Sequence, residues 1–138
     1  KDLFEIWRSH IPPYLATISP DHPVDLINKF KKAEQYKGPK LFINLSPCPP
    51  GWTADPAHSA RLAKLAVDTG IWALKESLYG DVRHTVIPKI KPVEEYLKEQ
   101  GRFAHLFKPV RQEDVLKKIQ EMVDTYWKDV QKKESIKA

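Results

Sequence analysis

The chain has 138 residues, 41% hydrophobic and 30% charged, a balance that fits one globular domain and excludes a disordered or fibrous chain. No apolar run approaches the ~18 residues of a membrane-spanning helix, and the opening KDLFEIW is not a signal peptide. A single cysteine excludes an internal disulfide and points to a reducing cytosol; the net charge of +5 comes from 23 Lys and Arg interspersed with 18 Asp and Glu, as on an ordinary solvated surface.

From the amino terminus, Lys1 to Ser9 reads as a helix entered part-way, with Leu3, Ile6 and Trp7 at i, i+3 and i+4 and no cap before them. That start implies further sequence upstream. PYLATIS, Pro13 to Ser19, reads as a buried strand, and SPDHP ends it, with Asp21 or His22 able to cap the next helix. Val24 to Tyr36 predicts an amphipathic helix, with Leu26, Ile27, Phe30 and Ala33 on its apolar face and Lys29, Lys31, Lys32 and Glu34 opposite. Gly38-Pro39 stops it, and KLFINLS, Lys40 to Ser46, is a second apolar strand.

Helix, strand, helix, strand with short connections fits an α/β fold, a parallel sheet covered by helices. After PCPPGW, Asp55 caps another helix with Pro56 in its first position. Leu62, Ala63, Leu65, Ala66 and Val67 form its apolar face, and Gly70 stops it. IWALKESLYG and DVRHTVIP predict a hairpin across Gly80-Asp81, and PVEEYLKEQG a short helix. Gln112 to Lys133 predicts a long helix with a stripe of Val115, Ile119, Met122, Tyr126 and Val130, flanked by Leu116, Val123 and Trp127. The tail QKKESIKA is expected to fray.

Chemistry concentrates in LFINLSPCPPGW, Leu41 to Trp52. Cys48 lies just past the carboxyl end of the second strand, where ligand sites gather in parallel α/β sheets. Its prolines fix φ and remove N–H donors, so the turn holds its shape unaided. Three readings stand side by side: a small buried filler, a metal ligand on a stiff turn, or a nucleophile, which would need a histidine base. His10, His22, His58, His84 and His105 carry no signature that brings one of them to Cys48. Zinc-finger, Walker, GxGxxG and GxSxG spacings are absent.

The run PYLATISPDHPVDLINKFKKAEQYKGPKLFINLSPCPPGW resembles the later part of the β subunit of 2-oxoacid:ferredoxin oxidoreductases, the pyruvate and 2-oxoisovalerate synthase group. That family shows a PYVAT-S strand, a KAxxxxGP helix end and an APCPTGW turn. The likeness continues through LAVDTGIWALKES, where the family reads close to LAVETGxWPLYE, and through KPVEEYLKEQGRFAHL to the last helix.

The resemblance implies a subunit that binds thiamine diphosphate with Mg²⁺ and carries a [4Fe–4S] cluster held by four thiolates. Three of the family's cysteines lie upstream, in a CPGCG-like motif and a following Cys, and the fourth corresponds to Cys48. Thr17 and Ser19, with Asp21, would face the cofactor or the substrate pocket, or serve the turn and the helix cap; catalytic residues stay unassigned. The upstream cysteines, the Gly-Asp-Gly motif and the Asn that hold Mg²⁺ and diphosphate are absent here, so the chain reads as a carboxyl-terminal part. Residues 1–90 would be the later half of the thiamine-binding domain and 91–138 a helical extension.

The implied activity is oxidative decarboxylation of a 2-oxoacid, with electrons passing through the cluster to ferredoxin and, in most members, the acyl group passing to coenzyme A. It would run in a cytoplasmic hetero-oligomer with no membrane span and no nucleic-acid partner. Pro50 in place of the family's Thr and WALKE in place of WPLYE leave the 2-oxoacid open. The competing reading is a non-catalytic interaction module that docks on other subunits or acidic partners, with Cys48 inert.

Overall fold

The computed structural model describes the backbone of residues 1–137 and the side chains of residues 1–133. The chain divides into two compact units: Lys1–Ser46 with Ala73–Ile87, and Pro47–Trp72 with the chain from Pro88 onward.

The first unit is built around a mixed sheet. Helix α1 (Leu3–Arg8) leads into strand β1 (Tyr14–Ile18), helix α2 (Pro23–Ala33) and strand β2 (Lys40–Asn44). β2 lies parallel to β1, in register from Tyr14 opposite Lys40 to Ile18 opposite Asn44. The expected helix–strand alternation is therefore present, but only this pair is parallel. The segment expected as an appended hairpin enters the same sheet: β3 (Lys75–Leu78) and β4 (Asp81–His84) turn at Tyr79-Gly80, and β3 runs antiparallel to β1. The order is β2-β1-β3-β4, with β2 and β4 at its two margins. Tyr79 and Gly80 both have positive φ, as a tight two-residue hairpin turn requires, and that turn fixes the antiparallel direction.

As an inner strand, β1 is buried along its whole length. Tyr14 and Ala16 pack with Ala33 of α2, and Tyr36, Phe42 and Leu78 close the cluster. The face of α2 differs from the expected one. Lys29 is 1% exposed, while Ile27 and Phe30 are 48% and 44% exposed. Periodicity alone counts a lysine as a surface residue, but its long stem can pack while its head finds oxygen partners. Helix α1 is also capped, contrary to expectation: the Asp2 carboxylate accepts the Glu5 N–H at 3.1 Å.

The second unit is helical. Helix α3 (Pro49–Trp52) and a 3₁₀ turn (Pro56–His58) precede α4 (Ser59–Asp68). The expected apolar face of α4, Leu62, Ala63, Leu65, Ala66 and Val67, is wholly buried. Gly70, at φ +74°, closes it. Helix α5 (Glu94–Leu97), a 3₁₀ segment (Gly101–Leu106) and α6 (Glu113–Lys137) follow.

On α6 the core line is Leu116, Trp127 and Val130, while Val115 is exposed and Met122 is 73% exposed. The buried face thus lies mostly on the residues expected to flank it, and Trp127 fixes it by donating its indole N–H to the Gly70 carbonyl at 3.0 Å. The helix continues past Lys133, through part of the segment expected to fray; the side chains of 134–138 lie outside the described residues. Among the described residues no helix is long and apolar enough to cross a membrane.

Candidate functional site

Two places carry the residues singled out by sequence. The first is the carboxyl end of β1. Thr17 is buried and its hydroxyl is fully used inside the sheet: it donates to the Ala73 carbonyl at 2.6 Å and accepts the Lys75 N–H at 2.9 Å. Ser19 is completely buried, yet its Oγ has no partner among the described residues. Its carbonyl accepts the His22 N–H at 3.0 Å, which turns the chain into α2. His22 occupies the cap position of α2 without a side-chain cap bond, and Pro23 follows in the first turn. Asp21 approaches the His22 ring at 3.7 Å.

A buried charge network supports this end from the α2 side. Lys29 Nζ donates to the Thr17 carbonyl at 2.8 Å and to the Asp25 carboxylate at 2.6 Å. Burial pulls the Lys29 ammonium below its ordinary value, and Asp25 opposes that. Glu76 accepts the Tyr14 hydroxyl at 2.8 Å and pairs with Lys32. Burial, together with the Glu76 carboxylate, pushes the Tyr14 phenol well above its ordinary value. The sequence places Lys29 on the polar face of its helix and Glu76 between Lys75 and Ser77, so no local pattern marks either as buried.

The second place is the cysteine turn. Cys48 is exposed, so it is not a buried filler. It stands at the cap position of α3 with extended backbone, and its side chain accepts no cap bond. The next two residues are prolines without N–H, so one of the two amides that normally bind a capping side chain, that of the second helical residue, is missing. The turn is closed by backbone bonds, Trp52 N–H to the Cys48 carbonyl at 2.8 Å and Ala54 N–H to the Pro49 carbonyl at 3.0 Å.

Gly51 is where the sulfur rests against the backbone; a Cβ there would stand 3.2 Å from Sγ. Thr53 adopts a left-handed conformation at φ +52° and its carbonyl accepts the Gly101 N–H at 2.9 Å. A Cβ on Gly101 would meet Thr53 at 2.8 Å, so only glycine fits that approach. The sequence carries Gly101 only as the end of the short helix PVEEYLKEQG, and no local signal marks its approach to Thr53.

The arrangement offers one soft donor, without internal hydrogen bonds, on a stiff turn. That suits a thiolate ligand to iron. It supplies one ligand only: among the described residues no three His, Cys, Asp or Glu side chains converge as a metal site. Of the histidines, His58 faces the Glu99 carboxylate at 3.4 Å, which Arg61 also binds at 3.0 Å. Thr17 and Ser19 belong to the first unit and Cys48 to the second.

No protein-family model matches the chain. Curated relatives do, and they share one class, subunits of 2-oxoacid:ferredoxin oxidoreductases, of which this chain is a homologue. It is 42% identical to pyruvate synthase subunit PorB of Methanosarcina barkeri over 127 residues, which is 90% of this chain and 42% of that protein. To pyruvate synthase subunit PorB of Methanothermobacter thermautotrophicus it is 43% identical over 126 residues, 91% of this chain and 42% of that protein. To ketoisovalerate oxidoreductase subunit VorB of Pyrococcus horikoshii it is 38% identical over 135 residues, 96% of this chain and 42% of that protein. The chain thus spans about two-fifths of the length of the curated relatives it matches.

Proposed function

We propose that this chain works as part of a 2-oxoacid:ferredoxin oxidoreductase and that Cys48 supplies one of the four thiolates of a [4Fe–4S] cluster. The observation that carries the reading is the exposed Cys48, whose side chain makes no cap bond, on its proline-stiffened turn, in a chain homologous to PorB and VorB subunits. The other three thiolates belong to residues outside these 138. A cluster held there would supply one-electron transfer between the thiamine-dependent oxidation of the 2-oxoacid and ferredoxin.

The chain's own residues hold and shape. Cys48 would supply one thiolate to the cluster, and Pro47, Pro49 and Pro50 contribute no N–H donors around its sulfur. Fewer hydrogen bonds to sulfur lower the reduction potential, so Pro49→Ala raises the midpoint potential of the assembled enzyme; an unmoved potential removes this role from the proline. At the β1 end, Ser19 is the candidate to face thiamine diphosphate, because its buried Oγ has no protein partner among the described residues. Thr17 nearby holds the strand in place through its own hydrogen bonds. Mg²⁺ and the diphosphate are held mainly by residues outside this chain.

The same proposal includes the other subunits of a cytoplasmic hetero-oligomer, ferredoxin, a 2-oxoacid and coenzyme A. Residues 1–90 then complete the thiamine-binding domain, and 91–138 extend it. The test is anaerobic purification of the assembled complex with Cys48→Ala. The variant keeps its fold and loses cluster iron and ferredoxin-coupled turnover. Unchanged iron and turnover would overturn the ligand assignment and favour an inert cysteine in a docking module.

A further inference from the structure

We propose that Arg102 is a positioning residue for the Cys48 thiolate and acts through Trp52. The inference rests on the ligand reading of Cys48, but its geometry stands apart from it. Trp52 is the last residue of α3, and its N–H closes the turn onto the Cys48 carbonyl at 2.8 Å. The Arg102 guanidinium lies over the Trp52 ring with Cζ 4.2 Å from the ring centre, and over Phe103 at 4.8 Å. The Tyr96 ring meets Trp52 edge-on at 6.4 Å.

Arg102 is itself aimed. Its Nε donates to Gln100 Oε1 at 2.9 Å, and Gln100 Nε2 donates to the Tyr96 carbonyl at 2.8 Å. Gln100 is 1% exposed, so this relay is fixed from inside. A buried amide anchored by its donor on the Tyr96 carbonyl and accepting from Arg102 marks that exposed guanidinium as placed. What it is placed over is the ring of the residue that closes the cysteine turn. The other attachment of the turn, the Gly101 N–H on Thr53, comes from the residue next to Arg102. The segment 100–102 therefore grips the turn twice, once by backbone and once by a stacked cation.

A cation over an indole face at an exposed residue is worth a factor of about 2 to 5 in an opening equilibrium. In the 138-residue chain, Arg102→Ala is expected to speed amide hydrogen exchange at Trp52 and Ala54 by about that factor while β1 amides are unchanged. Arg102→Lys rescues only in part, because an ammonium neither stacks flat nor keeps the Nε bond. Trp52→Ala reproduces the effect, and adding Arg102→Ala to it changes nothing further. In the assembled complex, Arg102→Ala retains cluster iron but broadens the electron paramagnetic resonance signal of the reduced cluster.

Wild-type exchange in Arg102→Ala, strict additivity of the two alanine variants, or an unaltered resonance line with full iron would each overturn the proposal. The ligand reading fails separately, if Cys48→Ala keeps its cluster while the exchange effects of Arg102→Ala persist.

Discussion

The end of β1 and the cysteine turn carry polar groups in opposite ways. At β1, Ser19 Oγ apart, the polar side chains are spent on one another: Thr17 on Ala73 and Lys75, Lys29 on Thr17 and Asp25, Glu76 on Tyr14 and Lys32. At Cys48 the backbone closes on itself and the side chain is left over. The first pattern makes a rigid support whose members cannot be removed singly without stranding a partner. The second makes a donor whose removal strands nothing. Stability should therefore reside in the first region, and function can be deleted from the second without unfolding it.

The largest expected effect tests the support. Lys29→Ala leaves Asp25 and the Thr17 carbonyl without their donor and should cost about 3 kcal/mol in urea unfolding; a cost near zero would show that the buried network is dispensable. In the second unit, Gly70→Ala should cost about 2 to 3 kcal/mol, since a Cβ there runs into the Trp127 indole in a positive-φ conformation. A normal melting curve for that variant would deny the Gly70–Trp127 contact its part in the core.

A smaller effect appears with acid. Burial works against the Asp68 carboxylate, but hydrogen bonds from Lys91 and Lys64 hold it below the usual carboxylate range. Its stabilisation is complete above the unfolded value of about 3.9 and is lost as pH falls through the lower folded value. Asp68→Asn should flatten that part of the pH–stability curve, by no more than about 1 kcal/mol for so exposed a cluster. The smallest effect sharpens the contrast: Cys48→Ser should leave stability within about 0.5 kcal/mol of the parent. A large loss there would mean that the thiol is structural after all.

Much of this was legible in the sequence. Apolar runs marked both parallel strands, the i, i+3, i+4 spacing marked α4 with its buried face complete, and Gly80 announced the hairpin turn. The errors share one cause. Periodicity shows that a helix has two faces, but what the neighbours bring decides which residues turn inward. On α2 the neighbouring β1 offered a bare carbonyl, and a lysine filled it in preference to Ile27 and Phe30. On α6 one indole reaching for Gly70 set the rotation of the helix. The hairpin was read correctly by itself, yet its pairing with β1 is a long-range choice that no local signal encodes. At the candidate site, the position of Cys48 was readable, whereas the Arg102 stack joins residues far apart in sequence.

One margin of the sheet has a practical side. β2 presents Leu41, Phe42 and Ile43 with no neighbouring strand on its outer side among the described residues. Such a rim templates strand addition by other chains, guarded here by a lysine at one end and an asparagine at the other. Concentrated stocks should accordingly clump through that rim, and placing a second lysine at Ile43 should keep them clear.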